Sequence, residues 1–378
     1  VRDCVRVAVN VEQLLQPAPG GIGRYTAQLV KLLPTRARGV DVSVFTARHP
    51  RRAVEQALAA NGLADVDAVV LPFPRPVLYD AWHVLGQCGP LRRVAPVDLV
   101  HAPSPAVPPR ERVPLVVTLH DAAPVTMPEA TTRRGRSFHT RGFRAAAARA
   151  DLVIVVSQFA ADEIAAHTDV PRDRMRVVPN GVDLDRVTAE DVARVTKRSG
   201  IDDRPYVFWL GTFQPRKNVG ALLSAYARLS PDDIPHRLVL AGHEGWLVDH
   251  DAELAALGDR VRLLGSVSSA DAAALYAGAD LFVFPSRHEG FGIPVLEAMA
   301  QGTAVLASDI PVFREVGGDA ACFVPLDEPD ALTDAMRSLL LDATARDALV
   351  ARGLAHVQSY SWDRCIDATI SVYEEVLR

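Results

Sequence analysis

Short runs of β-branched and other apolar residues recur along the chain, separated by stretches of helical length. In the first half they are VRVAVN from Val5, VDVSVF from Val40, VDAVVL from Val66, VDLVHA from Val97, PLVVTLHD from Pro114 and DLVIVVS from Asp151. These runs are too continuous for strands with one face in water. They predict parallel strands buried on both faces, and the alternation with helices predicts a doubly wound α/β sheet. The scheme then starts again with YVFWLG from Tyr206, RLVLAG from Arg237, VRLLG from Val261, DLFVFPS from Asp280, TAVLAS from Thr303 and ACFVP from Ala321. Two Rossmann-like domains follow. The periodicity lapses in a turn-rich polar stretch from Asn180-Gly181 to about Arg204, which places the domains at residues 1–185 and 186–361. Residues 326–358 read as helical. From Trp362, an amphipathic segment with Ile366, Ile370, Tyr373 and Val376 near helical spacing predicts a terminal helix over residues 362–378.

Composition adds limits to this picture. A chain of 378 residues, 49% of them hydrophobic, can bury a core in each of two domains. No run approaches the roughly 18 apolar residues of a membrane span, and VRDCVRVAVN lacks a signal peptide's apolar segment. The expectation is a soluble, cytoplasmic protein. Cys4, Cys88, Cys322 and Cys365 lie far apart without a C-x-x-C pair and read as reduced thiols. The net charge of -5 is unevenly divided: residues 1–189 carry 24 Lys and Arg against 18 Asp and Glu, the remainder 17 against 28. The basic half suits an anionic acceptor or membrane surface, whereas no nucleic-acid motif accompanies the charge.

Two elements carry the chemistry. Glu289-Gly290-Phe291-Gly292-Ile293-Pro294-Val295-Leu296-Glu297 follows the run DLFVFPS and reads as strand, glycine loop and helix start. Pro294 suits a first helical turn, where its missing N–H costs nothing, and the glycines let backbone approach a ligand closely. Unpaired helix N–H groups there favour a phosphate. Glu289 in the loop and Glu297 one turn into the helix can take hydroxyls at separate points of one ligand, such as a sugar and a ribose. The plainer reading makes them a capping acid and an exposed helix residue. Gly211-Thr212-Phe213-Gln214-Pro215-Arg216-Lys217-Asn218 places two cations at a strand's carboxyl end, where open α/β sheets bind ligands. Arg216 can grip phosphate oxygens bidentately and Lys217 adds a compact charge, so the pair can offset a leaving diphosphate without metal. Their plainer reading is a solvated helix start.

At this point the residues resemble the retaining glycosyltransferases of family four, which have the GT-B fold of two Rossmann-like domains facing a central cleft. Beside GTFQPRKN and EGFGIPVLE, the matching pieces are GGIGRYT at Gly20, VVTLHDAAP at Val116, VSQFAADEI at Val156, VVPNGVD at Val177 and AGHEGWL at Ala241, in the family's order. The resemblance implies that Glu289 contacts donor sugar hydroxyls with the adjoining Gly290, Phe291 and Gly292, and that Glu297 holds the ribose. It implies that Arg216 and Lys217 bind the diphosphate, that Gly20 and Gly21 offer backbone amides to the diphosphate or acceptor, and that His120 lies beside the reacting sugar. It also implies that the terminal helix returns to the first domain. The donor would be a nucleotide diphosphate sugar, with GDP-mannose first and a UDP-sugar second, because GGIGRYT and GTFQPRKN most resemble bacterial mannosyltransferases. The acceptor would be a hydroxyl of a glycan, glycolipid or small molecule. No cofactor or metal is implied.

The chain departs from the family at His243, where relatives often have lysine, and at Arg287-His288, where they have a bulky apolar or aromatic residue. D-x-D strings at Asp65, Asp183 and Asp249 read as turns rather than metal sites, since none follows a strand in a glycine-rich loop. Between Ala130 and Ala150 lie Arg133, Arg134, Arg136, Arg141, Arg144 and Arg149 and no acid. Arg133, Arg134, Arg136 and Arg141 are candidates for contact with anionic lipid at the inner face of the plasma membrane or with a phosphate-bearing acceptor; the plainer reading is a solvated helix face. Two other function classes fit the outline. A nucleotide-sugar 2-epimerase shares the architecture and is separated by its products without acceptor. A two-lobed sugar-binding receptor would not need Arg216-Lys217. An NAD dehydrogenase fits worse, because GGIGRY lacks the full G-x-G-x-x-G spacing.

Overall fold

The computed structural model describes residues 5–17, 19–36, 39–94, 96–201, 204–245, 249–328 and 330–378. Cys4 and the Trp246-Leu247 end of the AGHEGWL piece lie outside the described residues. The chain divides into two compact units, Val1–Gly181 with Trp362–Arg378, and Val182–Ser361. Val182 is tied to the second unit by its N–H, which donates to Tyr360 O at 2.9 Å. Gln301 extends the tie, donating to Asp185 O and accepting from the N–H of Val187.

The first unit is built on seven parallel strands: β1 (Val5–Asn10), β2 (Val40–Thr46), β3 (Ala68–Val70), β4 (Leu99–Ala102), β5 (Leu115–Leu119), β6 (Leu152–Val155) and β7 (Met175–Val177). Their order is β3-β2-β1-β4-β5-β6-β7, so the winding reverses between β1 and β4. Side chains alternate across a strand. Val7 and Val9 therefore enter one core, with Tyr25 and Leu29 of helix Gly20–Arg36, while Ala8 enters the other, with Trp82 and Phe143. Two cores on one sheet explain why the strands read as unbroken apolar runs. β7 was not among the expected strands, because the arginines at 172, 174 and 176 interrupt its pattern. Arg176 leaves the sheet edge to pair with Glu375, its Nε donating at 2.9 Å.

The terminal helix, Trp362–Val376, buries Trp362, Cys365, Ile366, Thr369, Val372 and Tyr373 against the core that holds Tyr25. Ile370 and Val376 are partly buried on the same core. Arg36 clamps its exposed side through Asp363 at 3.1 Å and Asp367 at 2.5 Å. Cys88, Cys322 and Cys365 are free thiols. No helix of the described residues is long and apolar enough to cross a membrane.

The second unit repeats the plan with β8 (Tyr206–Leu210), β9 (Arg237–Ala241), β10 (Val261–Gly265), β11 (Leu281–Phe284), β12 (Val305–Ser308) and β13 (Cys322–Val324). The order β10-β9-β8-β11-β12-β13 reverses between β8 and β11. In open α/β sheets the carboxyl ends of the strands at such a reversal are the usual ligand position. GTFQPRKN leaves β8 and the EGFGIPVLE loop leaves β11.

Candidate functional site

After β8, Pro215–Lys217 form a single 3-10 turn, and Asn218, left-handed at φ 55°, starts the helix Val219–Ala227. Arg216 and Lys217 thus precede the helix instead of occupying its first turn. The loop after β11 meets this turn through the Arg287 N–H, which donates to Arg216 O at 2.7 Å. Arg216 Nη1 in return donates to His288 O at 3.1 Å. These backbone ties hold the next residue, Glu289, against both cations. Its Oε2 accepts from Arg216 Nη1 at 2.8 Å and its Oε1 from Lys217 Nζ at 2.5 Å. Lys217 Nζ also lies 4.7 Å from the centroid of the Phe284 ring.

Glu289 and Lys217 are 7% and 8% exposed, so this ion cluster is largely withdrawn from water. Burial alone would raise the Glu289 pKa, yet the charges of Arg216 and Lys217 outweigh it and bring the carboxyl down to about 2. Glu289 is an anion throughout the physiological range. Arg216 and Lys217 bring a guanidinium and an ammonium to the sheet's switch point, the donors that an anionic ligand takes.

Gly290, Phe291 and Gly292 are buried between Glu289 and the helix Ile293–Gln301. Gly292 has φ +96°, and a Cβ there would fall 2.7 Å from Phe313 Cε1, so the position admits glycine alone without strain. Pro294 lies in the first turn of the helix. Glu297, half-buried further along it, accepts from the Tyr276 hydroxyl at 3.0 Å through Oε2. The glycines of AGHEG have a related cause. A Cβ on Gly242 or Gly245 would come within 1.7 Å of Gly211 O or 1.6 Å of Phe213 O, because the loop after β9 lies directly on the loop after β8. His243, at the departure from the family pattern, bonds Ser266 Oγ through Nδ1 at 2.7 Å.

In the first unit, Gly20 opens the helix Gly20–Arg36 at φ +60° with no atom within 4 Å of a would-be Cβ; Gly20 and Gly21 are exposed. His120 follows β5, and its Nε2–H donates to Pro103 O at 3.0 Å, which fixes that nitrogen as protonated. Burial lowers its pKa, opposed by the Pro103 bond and Asp121. The ring stands edge-on to Tyr25 with centroids 5.3 Å apart. The histidine at 101 contrasts with it. Its two nitrogens bond Tyr373 Oη at 2.6 Å and Thr118 Oγ1 at 2.8 Å inside the core, and burial pushes its pKa down to about 3. His101 is structural cement; His120 sits half-buried at a strand end.

The arginines at 133–149 lie on one helix, capped by Thr132 Oγ1, which accepts from the Gly135 N–H at 3.1 Å. Arg133, Arg134, Arg136 and Arg144 are exposed. Arg141 is instead engaged with Asp80 at 3.1 Å, and Arg149 donates to Trp82 O at 2.8 Å, so these two fasten the helix to its neighbour. That neighbour, Arg75–Asp80 continuing through Ala81–Leu85, leaves Val77, Val84 and Leu85 exposed at 50%, 62% and 65%. Tyr79 beneath them stacks on Phe138 of the arginine helix at 5.3 Å.

Among the described residues no group of three or more His, Cys, Asp or Glu side chains is arranged to hold a metal. Sequence reasoning missed two polar anchors. Tyr276 reads as a core aromatic in AALYAGAD, and nothing local links it to a glutamate in the next helix. Glu12, just after β1, is 2% exposed and accepts from Thr46 Oγ1 at 2.5 Å and the Ala47 N–H at 3.0 Å, with His49 Nε2 at 2.8 Å.

Comparison with known proteins gives a consistent result. Glycosyltransferase Family 4 matches residues 19–186, and Glycosyl transferases group 1 matches residues 192–355. The O-antigen chain mannosyltransferase B of Escherichia coli is 31% identical over 370 residues, spanning 94% of this chain and 96% of that protein. A phosphatidyl-myo-inositol mannosyltransferase of Mycobacterium tuberculosis is 28% identical over 386 aligned positions, 95% of this chain and 94% of the other. Among solved structures, Anabaena HepE with UDP and glucose superposes with a TM-score of 0.74 at 19% identity, covering 98% of this chain and 100% of that one. Sucrose-phosphate synthase from Thermosynechococcus elongatus gives 0.75 at 22%, covering 98% of each. The chain therefore belongs to the family-four glycosyltransferases, as a mannosyltransferase-like member with the GT-B fold of two parallel-sheet α/β domains.

Proposed function

We propose that this glycosyltransferase moves a hexose from a nucleotide diphosphate sugar to a hydroxyl acceptor with retention of configuration and without a metal ion. The observation that carries this reading is the cluster of Glu289, Arg216 and Lys217 at the switch point of the second unit. The unit Val182–Ser361 binds the donor: Arg216 and Lys217 take the diphosphate, Glu289 and the Gly290-Phe291-Gly292 loop take the sugar, and Glu297 takes the ribose. The unit with the terminal helix serves the acceptor, with Gly20 and Gly21 offering amides and His120 lying beside the reacting sugar. In the reaction, the bond from the anomeric carbon to the diphosphate breaks and a bond to the acceptor oxygen forms on the same face. The acceptor proton passes to the departing phosphate, whose negative charge the two cations stabilise. The mannosyltransferase names of the relatives favour GDP-mannose as donor; UDP with HepE keeps a UDP-sugar second.

Thermal unfolding with GDP, UDP, ADP and dTDP and their sugar conjugates tests the donor site. One base series is expected to stabilise the protein selectively, by about 2.7 kcal/mol at 100 times its dissociation constant. NMR of the product then reads the anomer. An inverted anomer overturns the retaining mechanism, and a folded protein that responds to no nucleotide overturns the donor reading.

The arginine helix supports a further part of the proposal, peripheral contact with anionic lipid. Exposed Arg133, Arg134, Arg136 and Arg144 lie beside a helix that exposes Val77, Val84 and Leu85, the pairing of cations with apolar side chains that an anionic bilayer surface accepts. Sedimentation with phosphatidylglycerol vesicles is expected to capture the protein in a salt-sensitive way, and R133E/R134E/R136E to release it. Equal, salt-insensitive binding to neutral phosphatidylcholine vesicles removes the membrane contact.

A further inference from the structure

The Tyr276 phenol is 1% exposed, yet its hydroxyl reaches a half-buried carboxylate on a different helix, at 3.0 Å from Glu297 Oε2. Tyr276 lies on the helix Ser269–Ala277 and Glu297 on Ile293–Gln301, so the bond crosses between elements that flank the switch point. The tyrosine is held at three places. Its ring stands edge-on to Phe208 of β8, with centroids 5.1 Å apart at 80°, and to Phe282 of β11, at 5.0 Å and 73°. Its own carbonyl accepts from Thr303 Oγ1 at 2.5 Å. The phenol is thereby fixed by both central strands of the sheet and by the segment entering β12.

A glutamate has three side-chain torsions and loses rotamer freedom whenever it must meet a ligand in one geometry. A carboxylate can only accept hydrogen bonds, so a fixed O–H aimed at one oxygen selects a subset of its rotamers before any ligand arrives. Preorganisation of this kind lowers the ordering cost of binding. We propose that Tyr276 is the positioning residue of the nucleotide site: its hydroxyl holds the Glu297 carboxylate in the orientation that accepts the ribose hydroxyls, and so sets the enzyme's preference for ribonucleotides over deoxynucleotides. The inference rests on the assignment of Glu297 to the ribose. It adds a residue that touches no part of the ligand and acts through another side chain.

The experiment measures dissociation constants of GDP and UDP, each beside its 2′-deoxy and 3′-deoxy forms, for the wild type, Tyr276→Phe, Glu297→Ala and the double variant. Phenylalanine keeps the ring packing, and thermal unfolding of the ligand-free variants confirms the fold. Glu297→Ala is expected to bring the ribo and deoxy forms of the bound nucleotide to equal affinity. Tyr276→Phe is expected to weaken the ribo form by roughly three- to tenfold, the scale of one immobilised side chain, to leave the deoxy form unchanged, and to spare kcat while raising KM. In the double variant the tyrosine change adds nothing to Glu297→Ala, since its effect passes through that carboxylate. A folded Tyr276→Phe that keeps the wild-type ratio, or an effect that adds in full to Glu297→Ala, overturns the positioning role. If Glu297→Ala itself keeps the wild-type ratio, the ribose assignment fails instead, and the two failures are told apart by that single measurement. Should Tyr276→Phe unfold, Tyr276→4-methylphenylalanine, which fills the place of the hydroxyl without a donor, is read in the same assay; loss of the ribo preference in the folded protein supports the role and a wild-type ratio overturns it.

Discussion

Glu289→Gln is expected to lower turnover by about 10²- to 10³-fold, the range found when one preorganised polar group is removed from a reacting centre. It should also make the ligand-free protein less stable and the nucleotide-bound protein comparatively more so. The reason is electrostatic. In the free protein Glu289 faces Arg216 and Lys217 at 2.8 and 2.5 Å, and an amide withdraws its negative charge from a half-buried arginine and a buried lysine. The depression of its pKa from 4.5 to about 2 corresponds to on the order of 3 kcal/mol, the scale of breaking a buried ion pair. A diphosphate supplies the missing charge, so the thermal shift given by the responding nucleotide should exceed that of the wild type. The pH dependence has a definite sign. A carboxyl whose pKa is depressed on folding contributes stability above its unfolded value and loses it as pH falls towards the folded value. The gap between wild type and Glu289→Gln should therefore be full at pH 7 and shrink from about pH 5 down to pH 3. Urea unfolding at the two ends, with turnover at pH 7, checks both parts. Wild-type turnover with a constant gap would remove Glu289 from the proposed site.

The double variant Arg216→Ala/Lys217→Ala is expected to abolish the nucleotide-induced shift and to reduce turnover by about 10³-fold or more, the scale on which cations act at a transferring phosphate. Arg216→Lys separates charge from geometry. A lysine keeps the charge but loses the planar fork, so binding and turnover should fall to an intermediate level if the arginine grips two phosphate oxygens. Since these cations supply the charge in the proposed reaction, EDTA should leave wild-type turnover unchanged, and Mg²⁺ should not rescue the double variant. Calorimetric titration and steady-state rates with and without EDTA read the outcome. Loss of activity in EDTA that Mg²⁺ restores would sink the metal-free mechanism.

The exposed part of the arginine helix was legible in the sequence, but the division of labour within it was not. Six arginines without an acid predict a basic face, yet Asp80, distant in sequence, takes Arg141 and the carbonyl of Trp82 takes Arg149. Periodicity reports which face a helix turns outward and says nothing about what a neighbouring element brings to it.

By itself the sequence determined the two parallel sheets, because strands buried on both faces must be apolar at successive positions, and that pattern survives without knowledge of contacts. It determined the terminal helix through residues such as Ile366 and Tyr373, and the family through motifs whose glycines answer local needs, as at Gly292 with its positive φ. The tertiary structure alone decided how the charged residues of those motifs are used. Arg216 and Lys217 meet Glu289 because β8 and β11, far apart in the chain, are neighbours in the sheet. Tyr276 meets Glu297 because their helices pack together, and Gly242 and Gly245 are required because one loop lies on another. Local pattern encodes burial and backbone conformation; the pairing of charges and hydroxyls depends on which strand stands beside which.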